Sequence, residues 1–446
     1  MPRLICHLDM NSYFASVEQQ ANPFLRGRAV GVCAYLHPST RFVRSGFNRY
    51  GCVIAASVEA KQMGMKVGMT MEQAKEAVPS AVFVQNDPPK YRAVSSRLFR
   101  LLNELTDAVE IYSIDEAFLD LTGWFRDAAE AAFAFSRIKW RLREEVGEWL
   151  RCSVGIASTR FLAKFASDLK KPDGLTVLTP ENLDYHLAIA DLEDAWGIGP
   201  RFRRQLERLG IKTLLDLKRY PVANLLAVMG KPGYFLWANV NGLEVASVKH
   251  EEPLPKTIGH SYCVPNRVNR DGTVEAVLTR LVERAGRRLR SHELCAGRME
   301  VAVGVTSPYP SFVRRGRTAP FSPYEGETQR GSGGIIDHRF PIPVDDPSSL
   351  VGTAAELLHQ VWHGEPVDFL AVTLSEFSIK TEQLRLTDIG YQPKPGRLSS
   401  SIDRIRDKHG EEAVVFGRMF KLLGKDEAPD RIGYRKTEGN GWENVM

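Results

Sequence analysis

The sequence predicts an α+β fold divided among several domains, and three observations support this. The chain has 446 residues, more than one hydrophobic core ordinarily serves, so we expect about three or four domains. Runs typical of buried strands occur at residues 4–9, 109–121 and 152–157. Helical periodicity follows each of these runs. A strand, a hairpin, a helix, a strand and a helix in this order are typical of an α+β sheet domain.

Each element of this domain has its own signal. The strand at 4–9 precedes a helix that Asn11 or Ser12 is placed to cap. After the hairpin at 109–121, apolar side chains recur every three or four positions and predict a long helix, with Phe135, Ile138, Leu142, Val146 and Leu150 on its inner face. A second helix is predicted at 160–170, directly after the strand at 152–157.

The remainder of the chain changes character twice. Beyond Pro180 the pattern is helical, with Trp196-Gly197-Ile198-Gly199-Pro200 in its middle. A charged, proline-containing linker follows at 251–256, and residues 257–380 return to strand-like alternation. Residues 381–446 are predicted to form a polar tail with one amphipathic helix near 402–423.

Composition excludes some classes of protein. The six cysteines are scattered without a CxxC pair, so we expect reduced thiols in a cytoplasmic protein, not disulfides or a zinc site. No apolar run is long enough to cross a bilayer, and the first residues lack a signal-peptide pattern, so we expect no membrane partner. The net charge of +5 is too small to indicate a polyanionic partner by itself.

Local charge is more informative than net charge. A cluster of arginines faces only Glu293 and Glu300 over the same interval, and it consists of Arg284, Arg287, Arg288, Arg290, Arg298, Arg314, Arg315 and Arg317. Such clustering is typical of sequence-independent phosphate binding, and the alternative is a solvated basic face.

Three acids stand where acids are unusual. Asp9 closes the first strand, and Asp115 and Glu116 lie within a strand-forming segment. Because buried unpaired charge is costly, three acids on one sheet indicate a cation that offsets their repulsion. Hard oxygen ligands suit Mg²⁺, and two such ions can activate an attacking hydroxyl and stabilise a leaving oxygen. On spacing alone, a helix cap and a hairpin turn explain these acids equally well.

Four segments closely resemble, in order, the motifs of the Y-family DNA polymerases, the translesion enzymes that include bacterial polymerases IV and V. They are DMNSYFASVE (9–18), YSIDEAFLDLTG (112–123), SVGIASTRFLAKFASDLKKPDGL (153–175) and WGIGPRFRRQLERLGIKTLLDL (196–217). The resemblance is close up to about residue 250 and looser over 256–425. It implies a template-directed, lesion-bypassing DNA polymerase of low fidelity, without proofreading.

The resemblance also implies a right-hand architecture. Residues 1–11 and 85–180 would form a ferredoxin-like palm, with small fingers at 12–84 and a helical thumb with a helix–hairpin–helix at 181–250. The linker at 251–256 would lead to an α/β little-finger domain at 257–380, which binds DNA, followed by the tail at 381–446.

By this resemblance, the acids belong to the catalytic centre. Asp9 and Asp115 would bridge two Mg²⁺ ions, and Glu116 would hold the ion at the primer 3′-hydroxyl. The carbonyl of Met10 would complete the ion at the incoming nucleotide. Two rival interpretations are an inactive scaffold, which would be expected to lose these acids, and a two-metal nuclease, which the ordered polymerase motifs disfavour.

Other residues are implied to hold the deoxynucleotide. Phe14 would pack under its sugar and exclude a 2′-hydroxyl, and Tyr13 matches the family's neighbouring aromatic residue. Lys171 would meet the triphosphate. The alternatives are plain core packing for the two rings and a solvated helix end for the lysine.

The fingers depart from the polymerase IV pattern, in which a tyrosine and an arginine also grip the phosphates. Here Val58 and Lys61 stand at these positions, and the surrounding segment is closer to the polymerase V catalytic subunit, so both branches stay open. Lysine keeps the charge but lacks the bidentate fork of arginine. The segment 37–50 is longer than in either branch, and its arginines are either nucleotide contacts or part of a solvated loop.

Contacts with DNA and with a partner protein are implied further along. Gly197 and Gly199 would let backbone N–H groups approach primer–template phosphates, and Arg314, Arg315 and Arg317 would bind DNA in the little finger. In the tail, Gln383, Leu384 and Leu386 resemble a peptide that docks on the bacterial sliding clamp, although Thr387 replaces the usual aromatic residue.

Overall fold

The computed structural model describes residues 3–34, 52–249, 254–264, 273–305, 334–380, 395–411 and 413–422. They form two compact units, of which the first ends at Glu252 and the second begins at Pro253.

The first unit contains the segments that carry the resemblance. Its strands are β1 (Ile5–Met10), β2 (Val30–Cys33), β3 (Val53–Ala56), β4 (Val82–Gln85), β5 (Val109–Ile111), β6 (Glu116–Asp120), β7 (Cys152–Ala157) and β8 (Leu175–Val177). Its helices are α1 (Tyr13–Ala21), α2 (Val58–Gln62), α3 (Met71–Ala77), α4 (Pro88–Asn103), α5 (Ala128–Arg141), α6 (Arg160–Asp168), α7 (Pro180–Ile189), α8 (Pro200–Arg208), α9 (Leu214–Arg219), α10 (Val222–Met229) and α11 (Lys231–Val240).

A sheet of order β5-β6-β1-β7-β8 forms the centre of this unit. β1 pairs antiparallel with both β6 and β7, and β8 runs parallel to β7. Successive side chains of β1 point to opposite faces. Cys6 and Leu8 pack in one core with α4 and α5, whereas Ile5 packs in another with α6. Two helical layers on one mostly antiparallel sheet confirm the predicted α+β fold.

Helix α6 lies very close to the sheet because of a glycine on β7. A Cβ atom at Gly155 would stand 2.1 Å from the carbonyl oxygen of Ala163, so no larger residue fits there. This close approach brings the polar side chains at the end of α6 to the face of β1 that carries Asp9.

Two local predictions need correction. Ser12 is the N-cap residue of α1, but it has a left-handed φ of 49° and makes no side-chain capping bond, while Asn11 instead donates to Ser153 Oγ at 3.0 Å. The long helix after the hairpin is α5, which continues only through a π-helical turn, Leu142–Val146, and Leu150 lies beyond it. Leu150 is nonetheless buried, so this residue belongs to the hydrophobic core although it is not part of the helix.

The other parts of this unit are a small sheet and a helical region. β2 pairs with β3 and β4 in the order β3-β2-β4, accompanied by α2 and α3. Residues after Pro180 fold into α7–α11, as the helical pattern predicted. Residues 35–51, which include the 37–50 insertion, lie outside the described residues.

The second unit is a sheet covered by helices. Its strands β9 (Thr257–Cys263), β10 (Leu294–Val305), β11 (Gly334–Val344) and β12 (Val367–Ile379) are ordered β11-β10-β12-β9, and all pairings are antiparallel. Its helices are α12 (Thr273–Ser291), α13 (Pro347–Val361) and α14 (Pro395–His409). α12 and α13 share one apolar core with one face of the sheet.

The C-terminal helix differs in place from its prediction. α14 begins at Pro395 and ends at His409, next to Gly410 with a φ of +91°, a left-handed conformation that ends helices. A short 3₁₀ helix, Gly417–Leu422, follows it and contacts α12. Over the described parts of the chain, no helix combines the length and apolarity that crossing a membrane requires.

Candidate active site

Asp9 and Glu116 are neighbours across the central sheet. In the pairing of β1 with β6, these two residues stand directly opposite each other, so their side chains lie on the same face. Asp115 precedes Glu116 in the turn that leads into β6, and its carbonyl accepts the N–H of Met10 at 2.9 Å. The structure therefore brings together the three acids that the sequence singled out.

Asp9 is neutralised by a lysine at the end of α6. The ammonium of Lys171 lies 2.7 Å from Asp9 Oδ1 and 2.7 Å from Asp168 Oδ1. Burial opposes the charged form of this lysine, but the charges of Asp9 and Asp168 outweigh it and raise the pKa of Lys171. The lysine predicted to meet a triphosphate thus stands at the carboxylate predicted to hold metal.

The environment of Asp115 disfavours its charged form. Burial, followed by the negative charge of Asp9, raises its pKa to about 6, although Ser113 Oγ donates to Asp115 Oδ1 at 2.5 Å. A positive charge beside Asp115 and Asp9 would relieve both effects.

Glu116 is held by two side chains that the sequence analysis did not single out. Its Oε2 lies 2.5 Å from Lys164 Nζ and 3.2 Å from His7 Nε2. Burial alone would raise the pKa of Glu116, but the hydrogen bond with His7 and the charge of Lys164 prevail and lower it to about 2. Glu116 is therefore ionised with a cation already beside it.

This donor set fits a hard divalent cation in charge and ligand type. The three carboxylates share one end of the sheet, and ammonium groups from Lys171 and Lys164 supply the positive charge that their proximity demands. Within the described residues, no three acidic, histidine or cysteine side chains already converge as a metal cluster.

The two aromatic residues of α1 have different environments. Tyr13 is buried, and its hydroxyl donates to the carbonyl of Tyr91 at 2.7 Å and lies 2.7 Å from Ser95 Oγ. Phe14 is only partly buried and stacks on the ring of Tyr91. The side chain of Tyr13 is thus held in the core, whereas Phe14 stays partly accessible, and the nucleotide contact of Tyr13 stays a prediction.

Lys61 lies within electrostatic reach of this site. Desolvation, and then the positive charge of Lys171, lower the pKa of Lys61, while Asp9 and Asp115 act in the opposite direction. It stands on α2, whose first residue is Val58. The lysine that departs from the polymerase IV pattern is thus close to the acids and to Lys171.

The glycines of the Trp196–Pro200 motif form an exposed turn before α8. Gly197 has a φ of +95°, which favours glycine, and Gly199 is the N-cap residue of α8. A Cβ atom at Gly199 would meet no atom within 4 Å. No side chain caps the N-terminus of α8, so its first backbone N–H groups are available to an approaching anion.

The predicted basic face of α12 is neutralised by acids that come later in the sequence. Arg287 pairs with Asp407, Arg290 Nε lies 2.7 Å from Asp403, and Arg284 lies 2.7 Å from Glu411. The expectation that these three arginines face only Glu293 and Glu300 is wrong, because their acidic partners come later in the sequence, while phosphate binding by the rest of the cluster stays a prediction. Arg314, Arg315 and Arg317, and likewise Gln383, Leu384 and Leu386, lie outside the described residues.

His7 and Lys164 carry signals that a stricter use of periodicity would have found. His7 is two residues before Asp9 on β1, so strand alternation places both side chains on one face. Lys164 lies one helical turn before Asp168 on α6, and Asp168 shares Lys171 with Asp9.

Comparisons with known proteins agree with this geometry. The family model described as the impB/mucB/samB family matches residues 8–168, and the model of that family's C-terminal domain matches residues 255–386. A protein named DNA polymerase IV from Moorella thermoacetica is 32% identical over 94% of this chain and 96% of its own length. Another of that name, from Pelotomaculum thermopropionicum, is 31% identical over 91% and 93%. Among solved structures, a Y-family DNA polymerase chimera of Dbh and Dpo4 matches with a TM-score of 0.66 and 25% identity, covering 84% of this chain and 99% of the chimera.

Proposed function

Because this chain belongs to the Y family of translesion DNA polymerases and catalyses template-directed DNA synthesis, we propose that Asp9, Asp115 and Glu116 form a two-Mg²⁺ phosphoryl-transfer site. The observation that carries this proposal is the direct opposition of Asp9 and Glu116 across β1 and β6, with Asp115 in the adjoining turn. The raised pKa of Asp115, caused by burial and by the charge of Asp9, supports a site that favours added positive charge.

The chain's own residues act by placing charge. Asp9 and Asp115 would hold both ions, Glu116 would hold the ion on the primer side, and the Met10 carbonyl would hold the ion on the nucleotide side. When bound, the ions favour ionisation of the primer 3′-hydroxyl and stabilise negative charge on the departing pyrophosphate. No covalent intermediate with the protein is required, so the enzyme contributes mainly alignment and electrostatics.

We assign three residues to the incoming deoxynucleotide. Lys171 and Lys61 contribute positive charge near the acids, where the triphosphate must lie to reach the same ions. Phe14 forms a rigid apolar wall, because its ring is backed by Tyr91. Such a wall cannot satisfy a 2′-hydroxyl that it desolvates, so it favours deoxyribose.

We propose that DNA lies along the face of the second unit's sheet that is not covered by α12 and α13. Small and hydroxyl side chains allow a close approach of phosphates on much of this face, namely Thr257, Gly259, Ser261, Ala302, Gly304, Ala371, Thr373 and Ser375. The same face also carries Glu300, Asp337, Ile335 and Phe369. Arg298 and Arg339 are opposite each other on β10 and β11, and each lies 3.0 Å from an acid, Asp337 and Glu376 respectively, which DNA phosphates would have to displace. In the first unit, the open turn at Gly197 and Gly199 provides backbone N–H donors.

Two further assignments rest on sequence alone. We propose that Gln383, Leu384 and Leu386 dock on a bacterial sliding clamp, since a short apolar pair with a glutamine suits a preformed groove. We also place the enzyme in the cytoplasm, where its scattered cysteines stay reduced.

A primer-extension assay tests the activity directly. The purified chain, given a primed template, deoxynucleotides and Mg²⁺, should lengthen the primer according to the template, and chelation of Mg²⁺ should stop it. A two-metal nuclease would shorten the primer instead. An inactive scaffold would leave its length unchanged.

A further inference from the structure

Lys164 stands between Glu116 and a set of aromatic rings. Its ammonium is 2.5 Å from Glu116 Oε2, and it is also 5.7 Å from the centre of the Tyr112 ring and 5.8 Å from that of Trp196. Aromatic faces attract cations at such distances. One ammonium group therefore has two attractive environments, a carboxylate and a pair of rings.

The rings form a rigid group. Tyr112 meets Trp196 edge to face, with centroids 5.5 Å apart and planes at 79°, and it meets Phe118 at 5.5 Å and 81°. The guanidinium of Arg160 lies 4.3 Å from the Phe118 ring and 5.4 Å from the Trp196 ring. Because these side chains pack against one another, we expect the rings to stay in place whether Glu116 binds Lys164 or a metal ion.

Arg160 is itself fixed in this group. It is 8% exposed, and its Nη2 donates to Glu110 Oε1 at 2.6 Å, while Glu110 Oε2 accepts the N–H of Lys249 at 3.0 Å. Arg160 and Lys164 are one turn apart on α6, so their side chains lie on the same face of this helix. Arg160 is fixed by Glu110, whereas Lys164 contacts Glu116.

A divalent cation bound to Glu116 would weaken the attraction between this carboxylate and the ammonium of Lys164. The ammonium lies 2.5 Å from one oxygen of the Glu116 carboxylate, and a divalent ion bound to the same carboxylate would repel it. Lysine has a flexible stem with rotatable donors, so its head can move while its backbone stays in α6. The adjacent faces of Tyr112 and Trp196 offer the displaced charge a partner that water-exposed lysines lack.

We propose that Lys164 is a built-in counter-ion that competes with divalent cations for Glu116, and that Trp196 and Tyr112 receive its ammonium when it is displaced. The inference rests on the proposed role of Glu116 as a metal ligand. Trp196 directly precedes the open turn at Gly197, so the residue that receives the displaced charge belongs to the segment assigned to DNA phosphates. Metal binding at Glu116 would thereby shift the Lys164 ammonium toward Trp196, which lies in the predicted thumb.

The test is Mn²⁺ binding to the full-length chain, measured by the electron paramagnetic resonance of free Mn²⁺, without nucleotide or turnover. Lys164→Met removes the competing charge and keeps the length, so the affinity for Mn²⁺ should rise roughly five-fold or more. Trp196→Leu removes the aromatic partner and should lower the affinity. In the Lys164→Met background, Trp196→Leu should have no further effect, since there is no ammonium left to displace.

Controls separate this inference from a folding defect and from failure of the proposed site. Lys164→Arg keeps the charge and should stay near wild type, as should Lys170→Met, which removes an exposed lysine near the end of α6. Equal effects of Trp196→Leu in both backgrounds, or a lower affinity in Lys164→Met, would overturn the inference. If Asp115→Ala binds Mn²⁺ as tightly as wild type, the proposed metal site itself fails. If Asp115→Ala loses Mn²⁺ binding but the Lys164 variants bind Mn²⁺ like wild type, the proposed metal site is supported and the counter-ion role of Lys164 is contradicted.

Discussion

The ring of Phe14 lies flat on the ring of Tyr91, with centroids 4.3 Å apart and planes 11° from parallel. Tyr91 is completely buried, and its hydroxyl lies 2.8 Å from Glu18 Oε1 in a hydrogen bond, so its ring is fixed in position behind Phe14. Phe14 is thus supported by a fixed ring and is itself only partly buried. This arrangement suits a residue that excludes a substituent by shape.

Replacing this wall should relax sugar selection. Phe14→Ala is expected to raise ribonucleotide insertion far more than it lowers deoxynucleotide insertion, because the penalty on the 2′-hydroxyl is steric and solvational. Insertion kinetics for matched ribo- and deoxynucleotides give the ratio. Tyr13→Phe is the matched control, since it removes a buried hydroxyl but leaves the wall. Unchanged discrimination in Phe14→Ala would mean that Phe14 is core packing alone.

Lys61 offers a test of the phosphate grip. Lys61→Arg should lower the apparent KM for deoxynucleotide, because a planar guanidinium can contact phosphate through two hydrogen bonds where an ammonium acts as a point charge. Steady-state kinetics on one template measures the change, with exposed Lys66→Arg as control. An unchanged or higher KM would indicate that another residue, such as an arginine of the 37–50 segment, performs this function.

The second unit contains a buried ion pair that should be important for its stability. Arg406 Nη2 on α14 donates to both carboxylate oxygens of Glu283 on α12, at 3.0 Å each, and both side chains are less than a tenth exposed. Arg406→Met would strand a buried carboxylate, so we expect a loss of about 3 kcal/mol or more in the local free energy of opening. Hydrogen exchange of the α12 amides measures it.

The control for this prediction is on the same helix. Arg404 is exposed, so Arg404→Met should change α12 protection by less than about 0.5 kcal/mol. Adding Glu283→Gln to Arg406→Met should restore part of the loss, because the stranded charge is gone. If Arg406→Met leaves α12 protection unaltered, α14 contributes nothing to the stability of the unit.

The ion pairs between α12 and the C-terminal segment could not be predicted from the sequence, whereas the main strands and helices around the site could. Patterns that depend on near neighbours worked well: β1, the β5–β6 hairpin, β7 and α6 follow from periodicity. The partners of Arg284, Arg287 and Arg290 could not be found in this way, because they come from α14 and from Glu411 just after it, far along the chain. The contacts of Glu116 with His7 and Lys164 are of the same kind, since they require the sheet register and the packing of α6 to be known.

The predicted clamp peptide can be tested by a triple substitution. Changing Gln383, Leu384 and Leu386 together to Ala should leave synthesis on short templates intact but remove stimulation by a loaded clamp on long ones. Tethering raises the effective concentration of the enzyme at the primer end, even when the peptide itself binds weakly. Equal stimulation of the triple mutant and the wild type would show that the segment is an ordinary linker.

The most direct test of the account is single-turnover nucleotide addition by Asp115→Ala. The account predicts that the rate of addition falls by at least about 10³-fold, while affinity for primer–template DNA stays within a few-fold, because Asp115 acts on the ions and other surfaces hold the duplex. Asp107→Ala, which removes an exposed acid just before β5, should extend primers like wild type. Primer extension by Asp115→Ala near the wild-type rate would contradict the assignment of the metal site.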